Sequence, residues 1–528
     1  MGMYVNPGNR AFAEIADSDY VDQTGLIALI NGTINRKNKL TCVSRPRRFG
    51  KSWAVRMLTA YYDGTCDSHL LFDQRAIAED STYREYMNQF NVICLDISGF
   101  ISDTKKTHGN LRDIPALIEQ AIWKDLTAQG FQPKKDDNLR DFLLRCVEQK
   151  EKRRFIFIID EWDAMIREAK NDDAAQEAYL NLLRSWFKNT NFTPEVVAAA
   201  YMTGILPIKK DGSQSAISDF REFSMLHPGK FAPFTGFREN DVKALCERNN
   251  LSFDEVRAWY DGYDFDRVGA IYNPYSVMCA MEERNCRSYW RKTSASESLE
   301  SYIDMDFDGL QTTIARLITG ERMPVNPDGF QNDFERFGGK DDVLTLLVHL
   351  GYLTWHETDQ TVQIPNEEVR LEFKQFLNRQ KISPAWLKMI QRSKNVLDDT
   401  IAGKSAEVAA VLEEIREEQY APQYYNNEQA LRAVVKYAYI VAFGQYIRAE
   451  EMPAGKGVAD LVFIPGTLSQ LPAMIIELKW NKTSETALQQ IKDKRYQAIL
   501  KPYAGRLLLV GINYDEKTGR HSCAIEKA

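Results

Sequence analysis

A glycine, a lysine and a serine stand together where an apolar run gives way to a helical pattern. The apolar run covers residues 39–44, and Gly50, Lys51 and Ser52 precede the helix. In that context backbone N–H groups bind phosphate oxygens, a lysine reaches the β- and γ-phosphates, and a serine holds Mg²⁺. The segment therefore predicts a phosphate-binding loop.

The start of this loop departs from the usual pattern. The pattern has glycine where this chain has Arg45, and the next residue, Pro46, has no N–H to donate. We expect the guanidinium groups of Arg45, Arg47 and Arg48 to supply phosphate contacts instead. A second Gly-Lys-Ser, at residues 403–405, follows no apolar run and is interpreted as the start of an ordinary helix.

A second apolar run ends in acids. Residues 155–159 read FIFII, and Asp160 and Glu161 follow them. At a strand end one carboxylate can lie near Mg²⁺ and the other near an attacking water, although a helix N-terminus also favours acids. Thr203 follows a third apolar run and could contact a γ-phosphate. Together these residues favour a nucleoside triphosphate site.

Two acids and a lysine form a separate cluster near the C-terminus. Asp460 lies in the strand-like residues 457–465, and Glu477 and Lys479 lie in the strand-like residues 472–480. Residues two apart project from the same face of a strand. Acids on adjacent strands can bind Mg²⁺ or Mn²⁺, which activates water for phosphodiester cleavage. The alternative is a cross-strand salt bridge.

Two further residues are candidates on flanking helices. Glu428 opens a helical pattern and is either a further metal ligand or a partner of the helix dipole. Gln490 lies in the helical pattern after the second strand, where it could contact the scissile phosphate or order a water; the alternative is an exposed helix residue.

The elements that must position these residues alternate between strand and helix, which predicts an α/β fold with a mostly parallel sheet. Short helices follow, then a mostly helical, charge-rich stretch, then a mixed α/β pattern. The division expected is a P-loop ATPase-like domain at 1–235, a helical lid subdomain at 236–285, a helical connector at 286–425 and a nuclease-like domain at 426–528.

Composition is that of an ordinary globular chain. The 528 residues include 67 Lys and Arg and 74 Asp and Glu, a net charge of −7, which argues against a wholly basic nucleic-acid binder. The 8 cysteines form no CxxC pair, which disfavours disulfide and zinc frameworks. No signal peptide and no apolar run long enough for a membrane is seen, so a cytoplasmic protein without membrane contact is expected.

The motifs together resemble a known family. YVDQTGLIALI (20–30), RPRRFGKS (45–52), IIDEWDA (158–164) and WYDGYDF (259–265) resemble the bacterial AAA-ATPase-like family. GKGVADLVF (455–463), IIELKW (475–480) and ALQQIKDKRY (487–496) look like its C-terminal partner, a PD-(D/E)XK nuclease-superfamily domain with a restriction-endonuclease-like fold. The proline that usually precedes the first acid is absent, since Ala459 stands there.

This resemblance implies ATP and Mg²⁺ or Mn²⁺ as cofactors. The residues expected to bind nucleotide are Arg45, Arg47, Arg48, Phe49, Gly50, Lys51, Ser52, Trp53, Asp160 and Thr203. The catalytic residues implied are Glu161, Asp460, Glu477, Lys479 and Gln490, and the metal ligands are Ser52, Asp160, Glu428, Asp460 and Glu477.

Two functions are compatible with these residues. The first is an ATP-gated or ATP-powered, metal-dependent nuclease, with DNA favoured over RNA and defence against foreign DNA as one setting. The second is a nucleotide-binding regulator or interaction protein whose nuclease-like fold is an inactive scaffold. Assembly into a homo-oligomer stays open in either case.

Overall fold

The computed structural model describes most of the chain. The described residues are 2–17, 20–149, 153–208, 217–265, 268–290, 309–330, 337–376, 384–419, 422–444, 446–454, 457–465, 469–494, 500, 503 and 505–528.

The α-helices are α1 (Arg10–Ala16), α2 (Gly25–Asn31), α3 (Lys51–Tyr62), α4 (His69–Phe72), α5 (Tyr83–Tyr86), α6 (Ile97–Lys106), α7 (Ile114–Ala128), α8 (Leu139–Gln149), α9 (Ala164–Glu168), α10 (Asp173–Phe187), α11 (Phe192–Val196), α12 (Glu239–Asn249), α13 (Phe253–Tyr260), α14 (Pro274–Glu283), α15 (Leu310–Ile318), α16 (Lys340–Leu350), α17 (Glu367–Phe376), α18 (Pro384–Ile401), α19 (Ser405–Gln419), α20 (Glu428–Ala438) and α21 (Ser484–Asp493).

The strands are β1 (Leu40–Ser44), β2 (Asn91–Asp96), β3 (Phe155–Asp160), β4 (Val197–Gly204), β5 (Arg221–Phe223), β6 (Phe237–Arg238), β7 (Tyr263–Phe265), β8 (Gly269–Tyr272), β9 (Met323–Pro324), β10 (Thr354–His356), β11 (Thr361–Gln363), β12 (Tyr446–Ala454), β13 (Gly457–Pro465), β14 (Ala473–Trp480), β15 (Leu507–Asp515) and β16 (Arg520–Lys527).

The chain divides into two compact units. The first contains Met1–Ala295 and Pro324–Val369, and the second contains Ser296–Met323 and Arg370–Ala528. The finer division into four parts stays a prediction.

A five-stranded parallel sheet forms the centre of the first unit, in the order β2-β3-β4-β1-β5. Side chains alternate between its two faces. Phe155, Phe157 and Ile159 pack into the core on one face, and Ile156 and Ile158 pack into the core on the other. Burial on both faces explains the unbroken apolar run. The predicted α/β class is thus confirmed.

Parallel strands end at one edge of this sheet, which brings the motif residues together. β1 ends at Ser44, directly before the glycine-containing loop, and β3 ends at Asp160. β4 lies between them in the sheet, because it pairs with both strands. The loop and the acids therefore flank the end of β4, where Thr203 lies.

Two small three-stranded sheets are also described. One is a sheet in the order β6-β8-β7, and the other is in the order β10-β11-β9. Residues 286–425 are mostly helical where they are described, as expected. The strands β9 to β11 were not predicted, because two or three residues are too few to display an alternating pattern.

The second unit contains a mixed sheet in the order β12-β13-β14-β15-β16. Only β14 and β15 pair in parallel, and α21 connects them. α21 approaches β15 closely because Gly511 has no side chain. A Cβ there would lie 2.2 Å from the carbonyl oxygen of Ser484. This close packing places α21 over the face of the sheet that carries the acids.

Within the described residues, no helix is long and apolar enough to cross a bilayer.

Candidate functional site

The loop after β1 has a backbone suited to binding an anion. Arg48 and Gly50 have left-handed backbones, with φ of 71° and 80°. A Cβ on Gly50 would meet open space, so the small size of this residue is not what the loop requires. The loop requires a residue that adopts a positive φ without strain, which glycine does. α3 begins at Lys51, and the first N–H groups of a helix carry partial positive charge and lack intrahelical partners.

Lys51 and Ser52 are held by neighbouring polar groups. The Lys51 ammonium donates to the carbonyl oxygens of Arg45 (3.0 Å) and Pro46 (2.7 Å). Burial lowers the pKa of Lys51 to about 8, although the charges of Asp160 and Glu161 oppose that shift. Ser52 Oγ donates to Asp160 Oδ2 at 2.6 Å. The structure thus brings together the serine and the acid that were expected to hold Mg²⁺.

The acids at the end of β3 have separate partners. Burial raises the pKa of Asp160, whose Oδ1 accepts from the Glu161 N–H at 3.0 Å. Glu161 has φ of 50°, a conformation that non-glycine residues rarely adopt. Its Oε2 accepts from Arg167 Nη2 at 2.7 Å, and Arg167 Nε also donates to Asp163 at 3.0 Å.

Sequence reasoning missed Arg167 and the carboxylate of Asp163. Asp163 is fully buried, and its Oδ2 accepts from the N–H groups of Ile205 (3.2 Å) and Leu206 (2.9 Å). The available signal was the spacing of Asp163 and Arg167, four residues apart, which pairs them along α9.

Arg45 points into the protein. It is fully buried, and it donates to the carbonyl oxygens of Phe223 (2.9 Å) and Ser224 (3.1 Å) and to the Thr235 hydroxyl (2.8 Å). Burial lowers its pKa to about 10. In this arrangement Arg45 fixes the base of the loop to the strand β5 region, and it does not line the cavity described next.

A cavity of about 570 Å³ lies beside the loop. Of the residues expected to bind nucleotide or activate water, those lining it are Arg47, Arg48, Phe49, Gly50, Lys51, Ser52, Trp53 and Glu161. Asp160 and Thr203 are buried and are not among the lining residues. The volume lies within the range of 300–1,000 Å³ usual for ligand pockets.

Arg48 is oriented by two aromatic residues. Its Nη1 donates to the Tyr289 carbonyl oxygen at 2.6 Å, and its guanidinium lies 4.3 Å from the centre of the Tyr275 ring. Phe49, which is fully buried, contacts Tyr263 edge-on. The loop is therefore supported from several sides.

The acids of the second unit lie on neighbouring strands. β13 and β14 are antiparallel, with Leu461 opposite Ile476, so one further step along that register places Asp460 opposite Glu477. Asp460 Oδ2 accepts from the Leu478 N–H at 2.8 Å. Lys479 Nζ donates to Glu477 Oε1 at 3.0 Å. The three predicted residues thus share one small region of the sheet.

Glu477 is the most perturbed acid of this cluster. It is 2% exposed, and burial raises its pKa to about 7. The negative charge of Asp460 adds to this rise, while Lys479 opposes it. Gln490 Nε2, from α21, donates to Glu477 Oε1. The structure therefore brings Gln490 to the cluster, while its contact with a phosphate or a water stays a prediction.

Arg432 is a member of the cluster that sequence reasoning missed. Its Nη2 lies 2.5 Å from Asp460 Oδ1, and both side chains are 12% exposed. Arg432 stands one turn after Glu428 on α20, and Glu428 is half-buried in the first turn of that helix. Nothing in the local sequence indicated which strand residue α20 would meet.

The donor set can be tested against a divalent cation. In the part of the chain that the structure describes, no three His, Cys, Asp or Glu residues are grouped so as to hold a metal ion. Glu428 is therefore not grouped with Asp460 and Glu477, and these two acids are the carboxylates available to a cation. Glu477 Oε2 is buried and has no hydrogen-bond partner among the described atoms. Since such an acceptor is costly to leave unpaired, the pair fits a cation that would be completed by water or substrate oxygens.

The two regions define a chain that combines a P-loop-type α/β domain with a smaller nuclease-like α/β domain. Comparison with protein families agrees. Residues 7–213 match a family described as a predicted AAA-ATPase, and residues 426–522 match the PD-(D/E)XK nuclease superfamily. The chain carries an AAA-ATPase-like domain at its N-terminal end and a PD-(D/E)XK nuclease-superfamily domain at its C-terminal end, as the motifs predicted.

Two individual proteins are similar over much of the chain. An uncharacterized protein from the vnfD 5′ region of Azotobacter chroococcum mcd 1 is 24% identical over 534 residues, covering 96% of this chain and 95% of that protein. The solved structure of the Aeropyrum pernix ORC2 protein, in ADPNP–ADP complexes, is 11% identical with a TM-score of 0.32, covering 69% of this chain and 98% of that one.

Proposed function

We propose that this protein is an ATP-binding, metal-dependent nuclease, acting on DNA in preference to RNA, whose ATPase-like domain gates or powers cleavage by the C-terminal domain. The observation that carries the proposal is the buried Glu477 Oε2 beside Asp460 and Lys479, an oxygen that has no hydrogen-bond partner among the residues that the structure describes. The chain contains both a nucleotide-binding loop and a cluster suited to phosphodiester cleavage. This combination supports the proposal that ATP at the loop controls cleavage at the cluster.

The C-terminal residues have separable roles in this proposal. Asp460 and Glu477 would hold Mg²⁺ or Mn²⁺, which when bound stabilises charge on the phosphate and lowers the pKa of water. Lys479 already donates to Glu477 and to the carbonyl oxygen of Leu478, and its third proton can orient a water molecule or a phosphate oxygen. Gln490 fixes the Glu477 carboxylate through its amide.

The N-terminal residues would bind ATP. Lys51 would exchange its two carbonyl partners for phosphate oxygens, since an ammonium binds an anion more strongly than a neutral carbonyl. Ser52 and Asp160 would hold Mg²⁺. Glu161 would orient or deprotonate the attacking water after separating from Arg167.

Cleavage by the purified full-length protein tests the proposal. The substrates are plasmid, linear duplex, single-stranded DNA and RNA, each with Mg²⁺ or Mn²⁺ and with or without ATP. Lys479→Ala should abolish cleavage, while Lys482→Ala, an exposed lysine nearby, should leave it unchanged. Equal cleavage by wild type and Lys479→Ala would place the activity elsewhere or in a contaminant.

A second function is favoured by a different observation. Arg432 pairs with Asp460, and Lys479 and Gln490 both bind Glu477, so the protein itself supplies cationic or polar partners to both acids. A nucleotide-binding regulator with an inactive nuclease fold would have such a centre. Absence of cleavage under every condition, together with retained nucleotide binding, would favour this function.

A further inference from the structure

The cavity beside the phosphate-binding loop has an apolar end. Beyond the loop it is lined by Tyr20, Val21, Met57, Phe234, Phe237 and Met278. Trp53, which is 38% exposed, lies with its ring centre 6.5 Å from that of Tyr20. Flat apolar walls of this kind accommodate a planar aromatic group. This end is therefore suited to the base of a nucleotide whose phosphates lie at the loop.

One polar atom at this end has no partner. Gln23 lines the cavity, and its Oε1 is buried without a hydrogen-bond partner among the residues that the structure describes. Its Nε2 makes a long contact, 3.5 Å, with the carbonyl oxygen of Gly236. Because a carbonyl only accepts, this contact favours the orientation in which Nε2 faces Gly236 and Oε1 is left as an acceptor.

The Gly236 carbonyl is itself fixed in place. Gly236 has φ of 108°, and a Cβ there would lie 2.3 Å from Ile271 Cγ2. Only glycine fits both this backbone and this contact without displacing its neighbour. The partner that orients the Gln23 amide is thus part of a constrained segment.

The turn that carries Gln23 is also held rigidly. Asp22 Oδ1 accepts from the Thr24 N–H (2.8 Å) and hydroxyl (2.7 Å), and Asp22 Oδ2 accepts from the Ala76 N–H (2.8 Å). The Gln23 N–H donates to the Tyr20 hydroxyl at 3.2 Å. A preorganised acceptor loses little entropy when it binds a ligand.

We infer that Gln23 is a base-specificity residue, whose Oε1 accepts a hydrogen bond from the exocyclic amino group of adenine. The inference rests on the proposed nucleotide-binding function and deepens it. Adenine has an amino donor on C6, whereas guanine and hypoxanthine have a carbonyl acceptor there. An acceptor facing a carbonyl oxygen is repelled, and the buried Oε1 would stay unpaired. The site should therefore select adenine over 6-oxopurines.

Equilibrium binding to the full chain with Mg²⁺ tests the inference. The probes are ATP, ITP, which has a carbonyl on C6, and purine riboside triphosphate, which has only hydrogen there. Wild type should bind ATP about three- to tenfold more tightly than purine riboside triphosphate, as expected for one hydrogen bond, and ITP should bind more weakly still.

Variants separate base recognition from phosphate binding. Gln23→Met, of similar length without the acceptor, should bind ATP and purine riboside triphosphate about equally, while Gln23→Glu should keep a preference for the amino group. Gln132→Leu, at an exposed position, is the matched control. Equal binding of ATP and ITP by wild type, or an unchanged preference in Gln23→Met, would contradict this inference alone. Failure of wild type to bind any of the nucleotides would contradict the proposed function and with it this inference.

Discussion

At the scale of single residues, both sites contain charged groups already paired with groups of opposite charge from the same unit. Glu161 accepts from Arg167, and Asp460 pairs with Arg432. A catalytic or metal-binding carboxylate must then exchange an internal partner for a ligand. The internal ion pair avoids the unfavourable free energy of an isolated buried charge. The same internal partner also competes with a ligand for the carboxylate.

The Arg432 pair leads to a prediction about metal affinity. Arg432→Met should increase the affinity of the C-terminal site for Mn²⁺ by about three- to tenfold, because Mn²⁺ then no longer competes with the Arg432 guanidinium for Asp460. Titration calorimetry with Mn²⁺ measures this. Arg432→Lys, which keeps the charge, should remain closer to wild type, and Asp460→Asn should lose the binding. Unchanged or weaker binding by a correctly folded Arg432→Met would instead indicate that Arg432 supports the site.

Glu161 leads to a prediction about ATP turnover. Glu161→Gln should lower the rate of ATP hydrolysis by about 100-fold or more while ATP stays bound, since an amide cannot act as a general base. Turnover and nucleotide affinity are measured separately on the same preparation. Glu168→Gln, at the end of the helix α9 that follows Glu161 and paired with Lys105, should affect turnover little. Unchanged hydrolysis in Glu161→Gln would remove this residue from the mechanism.

At the scale of elements, the sequence predicted the strands that position the motifs. β3 and β4 are continuous apolar runs because both faces of their sheet are covered, and such runs are recognisable without any structure. The residues at their ends could therefore be assigned to one edge of a parallel sheet. β13 and β14 were recognisable for a similar reason.

Other contacts depend on how elements dock, which local patterns do not encode. Arg432 meets Asp460 across 28 positions, and Gln23 meets Gly236 across 213. Arg45 fits the motif position for phosphate contact, yet it is buried against strand-end carbonyls. Spacing predicts where a residue lies on its element. The direction and partner of its side chain follow only from tertiary packing.

The N-terminal part of α17 yields a prediction about pH. Glu368 in its first turn is buried and accepts from the Tyr289 N–H at 2.7 Å, and burial raises its pKa to about 7. Between the ordinary pKa of 4.5 and about pH 7, the folded chain keeps a proton that the unfolded chain has lost. The contribution of Glu368 to stability therefore falls as pH rises through this window.

Glu368→Gln removes this titration. The difference in unfolding free energy between the variant and wild type should shift in favour of the variant by about 1–3 kcal/mol when the pH is raised from 5 to 8. Urea unfolding of both proteins at the two pH values measures the difference, and Glu79→Gln, at an exposed position, controls for the lost charge. A difference that is the same at both pH values would show that Glu368 stays in one protonation state.

At the scale of the whole molecule, each candidate site is assembled within one compact unit. The residues lining the nucleotide cavity come from Met1–Ala295, and the acids, lysine and arginine of the nuclease-like centre come from Arg370–Ala528. Neither site needs a side chain from the other unit for the contacts described above. Ligand binding at the two sites should therefore be separable by mutation, while coupling should appear only in activity.

Reciprocal variants test this separation. Lys51→Ala should lose ATP binding and make cleavage the same with and without ATP, because the ammonium that would reach the phosphates is gone. It should still bind Mn²⁺ at the C-terminal site. Lys479→Ala should lose cleavage yet bind ATP as wild type does. Cleavage that still responds to ATP in Lys51→Ala would show that ATP acts away from the loop, and loss of ATP binding in Lys479→Ala would show that the two sites are not independent.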